Sequence, residues 1–393
     1  MTSFNCQRVL QPRTSTLATL TILTLCLTGG ATRAWADQPG AAKAKANTVH
    51  CDAGQSVNHA LRHADPGETI HVRGTCHERV VITKPVTLKG GGSAVIDGAG
   101  VQAVDPEFDG LVVINGVTNV NLVGLTIQNG TTNGIFAAHG AAVVLNGVTT
   151  QYNAIVGIVV SNNSVAEVID SVTRSNGDGG FDVFTSSSMI LRGTFVASDN
   201  AIAGGAINGQ SILELRGAQV TVANNPVIGI IAGSRSHLAV FGFQSSRGST
   251  LNVSGAGFAG IGIADSTLTI FSDTVVTATN NGAGLFVVTG NLTVPGGNAT
   301  FVLHDNGVGM NLSKGSSAFL TAGLNVHDNA TGILADDTGL SIAAAQGLPN
   351  SIAGNGTDVQ LSFGARSTIE NVAIGTPLVC DATVLSRGTT TCP

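Results

Sequence analysis

The chain has 393 residues, of which 52 are glycine and only 11% are charged, and its formal net charge is −6. Scarce and mainly acidic charge excludes nucleic acid as a natural partner, because binding a polyanion draws on clustered Lys and Arg. The abundance of Gly, Ser, Thr, Asn, Val and Ile favours strands and turns over helices.

In chain order, Arg8 and Arg13 precede the apolar run LATLTILTLCL at residues 17–27, and a small-residue stretch closes on AWA at Ala36. This predicts a signal peptide over residues 1–36, because the run is too short to span a bilayer and no second apolar segment follows. Leu25 precedes Cys26 where a lipoprotein leader needs a small residue, so no lipid anchor is expected. Cleavage removes three arginines and no acids, which takes the net charge from −6 to −9. The expected location is periplasmic or secreted, with no membrane span in the mature chain. Residues 37–49 read as a disordered linker. Four cysteines remain, Cys51, Cys76, Cys380 and Cys392. In an oxidising compartment they suggest disulfides, and four cysteines allow three pairings.

Residues 50–90 open with a helical stripe of Val57, Ala60, Leu61 and Ala64, which Pro66-Gly67 stops before a strand begins. From residue 91 to about 375 one beat recurs: an Asn, then within a few residues a Gly and an apolar residue. The asparagines are Asn129, Asn153, Asn176, Asn200, Asn225, Asn281, Asn306 and Asn329, spaced 24, 23, 24, 25, 56, 25 and 23 apart. The gap of 56 holds two coils, with Gly255 near the vacant place. Short alternating runs opened by Ser, such as SVAEVI, SILELR and SHLAVF, keep the same time and read as half-buried strands. A unit of about 24 residues repeated about a dozen times cannot bury its apolar face alone and must stack on its neighbours.

Over roughly residues 47–375 the sequence resembles the right-handed parallel β-helix proteins of the pectin lyase-like superfamily. The opening CDAGQSVNHALRHADPGETIHVRGTCHERVVITKPVTLKGGGSAVIDG carries the most specific part of the likeness. The resemblance implies an all-β solenoid with a short N-terminal capping helix, and an asparagine ladder built from the recurrent amides. A dozen coils about 4.8 Å apart make a rod of roughly 58 Å. Disulfide partners need Cα atoms within about 7 Å, so Cys51 pairs with Cys76 and Cys380 with Cys392. The second pair would close a C-terminal tail over residues 376–393.

Pleat alternation around each Asn predicts that the residue three before it points inward and the residue two before it points outward. His304 and His327, from HDNGVGM and HDNATGI, should therefore lie on the outer surface, one above the other. With Asp305 and Asp328 they could hold a divalent cation or move protons. The plainer reading is a pair of duplicated coils with solvated turn carboxylates.

Three other stretches offer chemistry. SNGDGGFDV, with Asp178 and Asp182, resembles the Asn-x-Asp-Gly signature of polygalacturonases. That family also needs a paired Asp-Asp, a Gly-His-Gly and an Arg-x-Lys in that order. Here Asp336-Asp337 lies far downstream, His139-Gly140 comes first and no Arg-x-Lys exists, so Asp178 and Asp182 read more simply as turn residues of the chain's own repeat. VDPEFDG resembles an Asp-Pro-His-Asp element of mannuronan epimerases without its histidine, and Asp105, Glu107 and Asp109 could together hold a calcium ion. Arg192 and Arg216, both in LRG, should stack with Asp170 one coil before, as an ion-paired ridge.

No family motif is complete, charges are sparse, and the mature chain, without Trp35, is expected to lack the exposed aromatics that stack on sugar rings. The sequence thus favours an exported module without catalysis that binds a polysaccharide or an envelope component, and it calls for no cofactor. The alternative is a polysaccharide lyase or glycoside hydrolase acting on an acidic glycan. Acidic or basic side chains from three or more adjacent coils converging on one face would favour a catalytic groove, whereas scattered ones would favour a rod.

Overall fold

The computed structural model describes residues 47–102, 109–242, 248–345, 347–348, 350–388 and 391–392. The expected leader, most of the linker, Asp105 and Glu107 lie outside them. The described chain winds into a parallel β-solenoid of right-handed type with about 13 turns. Among the described residues, a broad sheet takes 22 strands and a narrow sheet takes 13.

One coil shows how sequence becomes shape. Val165–Arg174 runs along the broad sheet with every second residue buried, and Asp170 bends it at φ 47°. Ser175, at φ 53°, turns the chain toward Gly179–Phe184 in the narrow sheet. Thr185 and Ser186, both with positive φ, return it to the broad sheet one level up. Val165 therefore lies over Ala142 and under Ser188, each 23 residues away. Inward side chains stack in files such as Leu145, Val168, Leu191, Leu215 and Val240, all fully buried. Each contributes about 1.5–3 kcal/mol relative to exposure, which is what drives one coil to close on the next.

The asparagine ladder is present, with two corrections. Asn153 Nδ2 donates to Asn176 Oδ1 (3.0 Å), Asn176 to Asn200 (2.9 Å) and Asn200 to Asn225 (3.0 Å). A second run links Asn281, Asn306, Asn329 and Asn355, and ends on Asp358 Oδ1. Asn129 is not a rung: Gly130 holds that place, its N–H donating to Asn153 Oδ1 at 3.0 Å. In the wide gap the rung is Ala256, one beyond Gly255, so the two runs are separate. The left-handed residue of the turn is also the one before the rung, namely Asn129, Tyr152, Ser175, Asp199, Asn224, Asn280, Asp305 and Asp328. The amides themselves span the coils. The Gly of the beat makes room for them: a Cβ on Gly180 would stand 2.4 Å from Thr173 Oγ1 and 3.0 Å from Asn200 Nδ2.

At the opposite corner the serines that open the runs form a second ladder. The N–H of Ala141, Ser164, Ser187, Ser211 and Ser236 each donates to the hydroxyl of Ser164, Ser187, Ser211, Ser236 and Ser266 in turn, at 3.0–3.2 Å.

At the N-terminal end α1 (Val57–His63) is capped by Ser56 Oγ, which accepts from His59 N, and it buries Val57 and Leu61. Asn47–His50 pairs in parallel with Thr69–Arg73, so the solenoid begins inside the stretch read as linker. At the other end Val379–Cys380 and Leu385–Gly388 each pair with the coil below, so the coil path continues past residue 375. The disulfides join Cys51 to Cys76 and Cys380 to Cys392, with Cα atoms 4.9 and 6.0 Å apart. Among the described residues no helix is long and apolar enough to cross a membrane.

Candidate functional site

Five consecutive coils place polar and aromatic side chains on the outer face of the broad sheet. Parallel register sets Glu167, Ile190, Glu214, Ala239 and Thr269 in one file. Arg192 lies beside Ile169, and Phe241 beside Arg216. Arg192 Nε donates to Glu167 Oε1 at 2.5 Å, and Arg216 pairs with Glu214 of its own coil at 2.6 Å. The Arg216 guanidinium stands 5.6 Å from the centroid of Phe241, which stacks on Phe271 at 4.4 Å with planes 8° apart. His237 Nε2 lies 3.0 Å from Thr269 Oγ1, and burial holds its imidazole below the usual pKa against the opposing pull of Glu214.

The expected partner of this ridge, Asp170, does not join it. Its carboxylate accepts the Thr194 N–H at 2.9 Å, so the acids of the ridge are Glu167 and Glu214. Both pairs are partly exposed, and such pairs contribute only about 0–1 kcal/mol. The ridge is therefore no stability device, and its guanidinium and carboxylate groups can exchange one another for a ligand at little cost. Aromatics are also more exposed than composition suggested: Tyr152, Phe258, Phe319 and Phe363 are each at least half exposed.

Of the two acids read as turn residues, Asp178 does lie in the turn before Gly179–Phe184, but Asp182 lies within that strand, on the exterior of the narrow sheet. Asp182 sits in register between Val159 and Ala206, beside an apolar cluster of Phe136, Ala138, Val156 and Val159. Burial pushes its carboxyl up to about 6, and the charge of Asp178 adds to the rise. Asp336 is six coils further along the same sheet, about 29 Å away. The polygalacturonase-like acids are therefore not brought together.

His304 and His327 lie directly in register, with ring centroids 5.1 Å apart and planes within 5°. Each Nδ1 is 2.7 Å from Oδ2 of its own neighbour, Asp305 or Asp328. Thr279 Oγ1 lies 3.4 Å from His304 Nδ1. The HDN triplet thus combines an outward strand end, a left-handed Asp at φ 55° or 57°, and a ladder amide. Each carboxylate is placed to accept a hydrogen bond from the imidazole of its own coil.

Of the three acids expected to hold calcium, only Asp109 lies among the described residues. Its buried carboxylate accepts from Arg79 Nε (2.9 Å), from Arg79 Nη2 and from Gly110 N. The Arg79 guanidinium thus pairs with this carboxylate. Among the described residues no group of three or more His, Cys, Asp or Glu is arranged to hold a metal.

No protein-family model and no curated protein sequence matches the chain. Among solved structures, the A-module of a mannuronan C-5 epimerase from Azotobacter vinelandii aligns with 84% of this chain and 93% of its own, at 16% identity and a TM-score of 0.50. A pectate lyase aligns with 70% of this chain and 74% of its own, at 14% identity and a TM-score of 0.48. The likeness to the epimerase module is one of fold.

Proposed function

We propose that this chain is an exported solenoid that binds a polysaccharide along the outer ridge of its broad sheet, as a binding or structural module of the cell envelope or extracellular space. The observation that carries this reading is the Phe241–Phe271 platform beside Arg216. Charges from adjacent coils do converge there, as expected of a catalytic groove, but each guanidinium is paired with a carboxylate, Arg192 with Glu167 and Arg216 with Glu214. A linear glycan lying along the coil axis would meet one row of side chains about every 4.8 Å. It would find guanidinium and carboxylate groups for its hydroxyls or carboxylates and an aromatic platform for a sugar face. Export is supported by the leader-like N-terminus and by two disulfides.

Affinity electrophoresis through gels of polygalacturonate, alginate and a neutral glucan tests the reading. Alginate is included because a fold neighbour is named for mannuronan. The wild-type chain is expected to be retarded by at least one of them, and Arg216→Ala to bind at least tenfold more weakly with an unchanged circular dichroism spectrum. Free migration of the wild type in all three gels would sink the proposal.

One observation favours a second reading, an enzyme that cleaves a glycan. Asp182 is a half-buried carboxyl on the exterior of the narrow sheet whose pKa burial pushes up to about 6, into the range a general acid uses. Under that reading the wild type releases reducing ends, or unsaturated product absorbing in the ultraviolet, and Asp182→Asn does not.

A further inference from the structure

The stacked imidazoles belong neither to the ridge nor to the Asp182 face. We propose that His304 and His327 bind one borderline transition-metal ion, copper(II) most tightly and nickel(II) or zinc less so, through their two Nε2 atoms. The remaining coordination positions are left to water or to donor atoms of a bound molecule.

Proton placement comes first. A carboxylate only accepts, so Asp305 and Asp328, each 2.7 Å from an Nδ1, keep the ring proton on that nitrogen. The lone pair of each neutral imidazole is then on Nε2. A histidine whose other nitrogen donates to a carboxylate is the arrangement that metal-bound imidazoles use, since it fixes the tautomer and raises ligand basicity.

Direction comes second. With planes 5° apart and equivalent Nδ1 contacts, both Nε2 atoms face the same way. The side chains are 28% and 35% exposed, and among the described residues neither Nε2 has a protein partner. Spacing comes third. Because both lone pairs leave the same side, the ion sits in front of the two rings at an N–metal–N angle of roughly 90–120°, which with bonds of about 2.0 Å puts the nitrogens about 3 Å apart, against a centroid separation of 5.1 Å. Each ring must swing its Nε2 toward the other by about 1 Å and tilt out of the parallel stack, which partly exposed side chains at a strand end can do. Imidazole donors select copper, nickel and zinc over calcium and magnesium, which take oxygen ligands.

A competing pair exists on α1, where His59 and His63 stand with centroids 4.6 Å apart. Those rings are tilted by 53° and have no carboxylate partner among the described residues, so they are less prepared. The test therefore uses the untagged full chain carrying His59→Gln and His63→Gln, titrated with copper(II) in a non-coordinating buffer by calorimetry and electron paramagnetic resonance. One equivalent is expected to bind with hyperfine structure from two imidazole nitrogens. His327→Gln should leave one nitrogen and at least tenfold weaker binding, and Asp305→Asn with Asp328→Asn should weaken binding by about 10- to 100-fold. Loss of all binding in the His59/His63 background, or copper bound unchanged after His304→Gln and His327→Gln, overturns the proposal. Modification of the wild-type chain by diethyl pyrocarbonate gives a readout free of any folding effect: nickel(II) should protect His304 and His327, and unprotected rings would count against the site.

Discussion

Asn176→Ala is expected to cost about 3–5 kcal/mol of stability, measured as a fall in the guanidinium midpoint, whereas Asn129→Ala should cost about 1 kcal/mol. Asn176 is a middle rung. Its Oδ1 accepts both the N–H (3.2 Å) and the Nδ2 (3.0 Å) of Asn153, and its Nδ2 donates to Asn200 Oδ1 (2.9 Å). All three residues are buried. Truncation leaves two donors of Asn153 without that acceptor, and its amide keeps only a long contact of 3.4 Å to Ile127 O. A buried donor left unsatisfied costs about 1–3 kcal/mol, so two of them set the expected range. Asn153→Ala should cost about half as much, because its Oδ1 serves one donor, Gly130 N. Asn129 only donates to Asp97 from an outer position and adopts φ 57°, so its loss removes a local preference rather than a rung. If Asn176→Ala and Asn129→Ala shift the midpoint equally, the ladder is not a source of stability. Ala256 shows that the column tolerates a gap, but there the neighbouring amide, that of Asn225, already donates to the carbonyls of Ala197 and Ala223.

The period was readable because each coil repeats one alternation of inward and outward side chains at nearly constant length, and stacking then fixes what lies above what. That logic placed His304 over His327 and assigned the four cysteines to the two ends. It erred by one residue at Asn129-Gly130 and at Gly255-Ala256, because Asn and Gly both suit a left-handed turn and the composition of the turn does not say which of two neighbours is the rung. Asn355 follows Asn329 by 26 residues and could have been counted, but the pattern of strands had loosened around it. Pairings made by long side chains were out of reach. Arg79 meets Asp109 across 30 residues, and Arg192 chooses Glu167 over Asp170 because the left-handed bend at Asp170 turns that carboxylate onto the Thr194 N–H. Reading Asp182 as a turn residue of the repeat also missed that it stands in the strand Gly179–Phe184, and that its outer neighbours are apolar. Phe136, Val159 and Ile231 cover that face of the narrow sheet, so an outward carboxyl there is still mostly removed from water.

Asp182→Asn is expected to stabilise the protein at neutral pH by about 2–3 kcal/mol and to change little near pH 4. Burial raises the folded carboxyl from 3.8 to about 6, with Asp178 adding to it. Between those values the native state holds a proton that the unfolded chain has released, so the proton-linked stability falls as pH rises from about 4 to about 6 and then levels off. Asn keeps the shape and the polar end without the charge, so the difference between variant and wild type isolates this one group from the other acids. Asp358 is shifted the opposite way: burial opposes its ionisation, but hydrogen bonds from Asn355 and Thr376 outweigh it and lower its pKa. Its contribution is lost only as pH falls below the usual carboxylate range, and it is common to both chains. Guanidinium unfolding of the two proteins at pH 4, 5, 6, 7 and 8 should show curves that coincide at the acid end and separate through the window, reaching the full gap by pH 7. A gap independent of pH would mean that Asp182 is not charged against its surroundings in the native fold. The same measurement bears on chemistry, since a carboxyl that still holds its proton at pH 5 can donate it to a leaving group, and one ionised at that pH cannot.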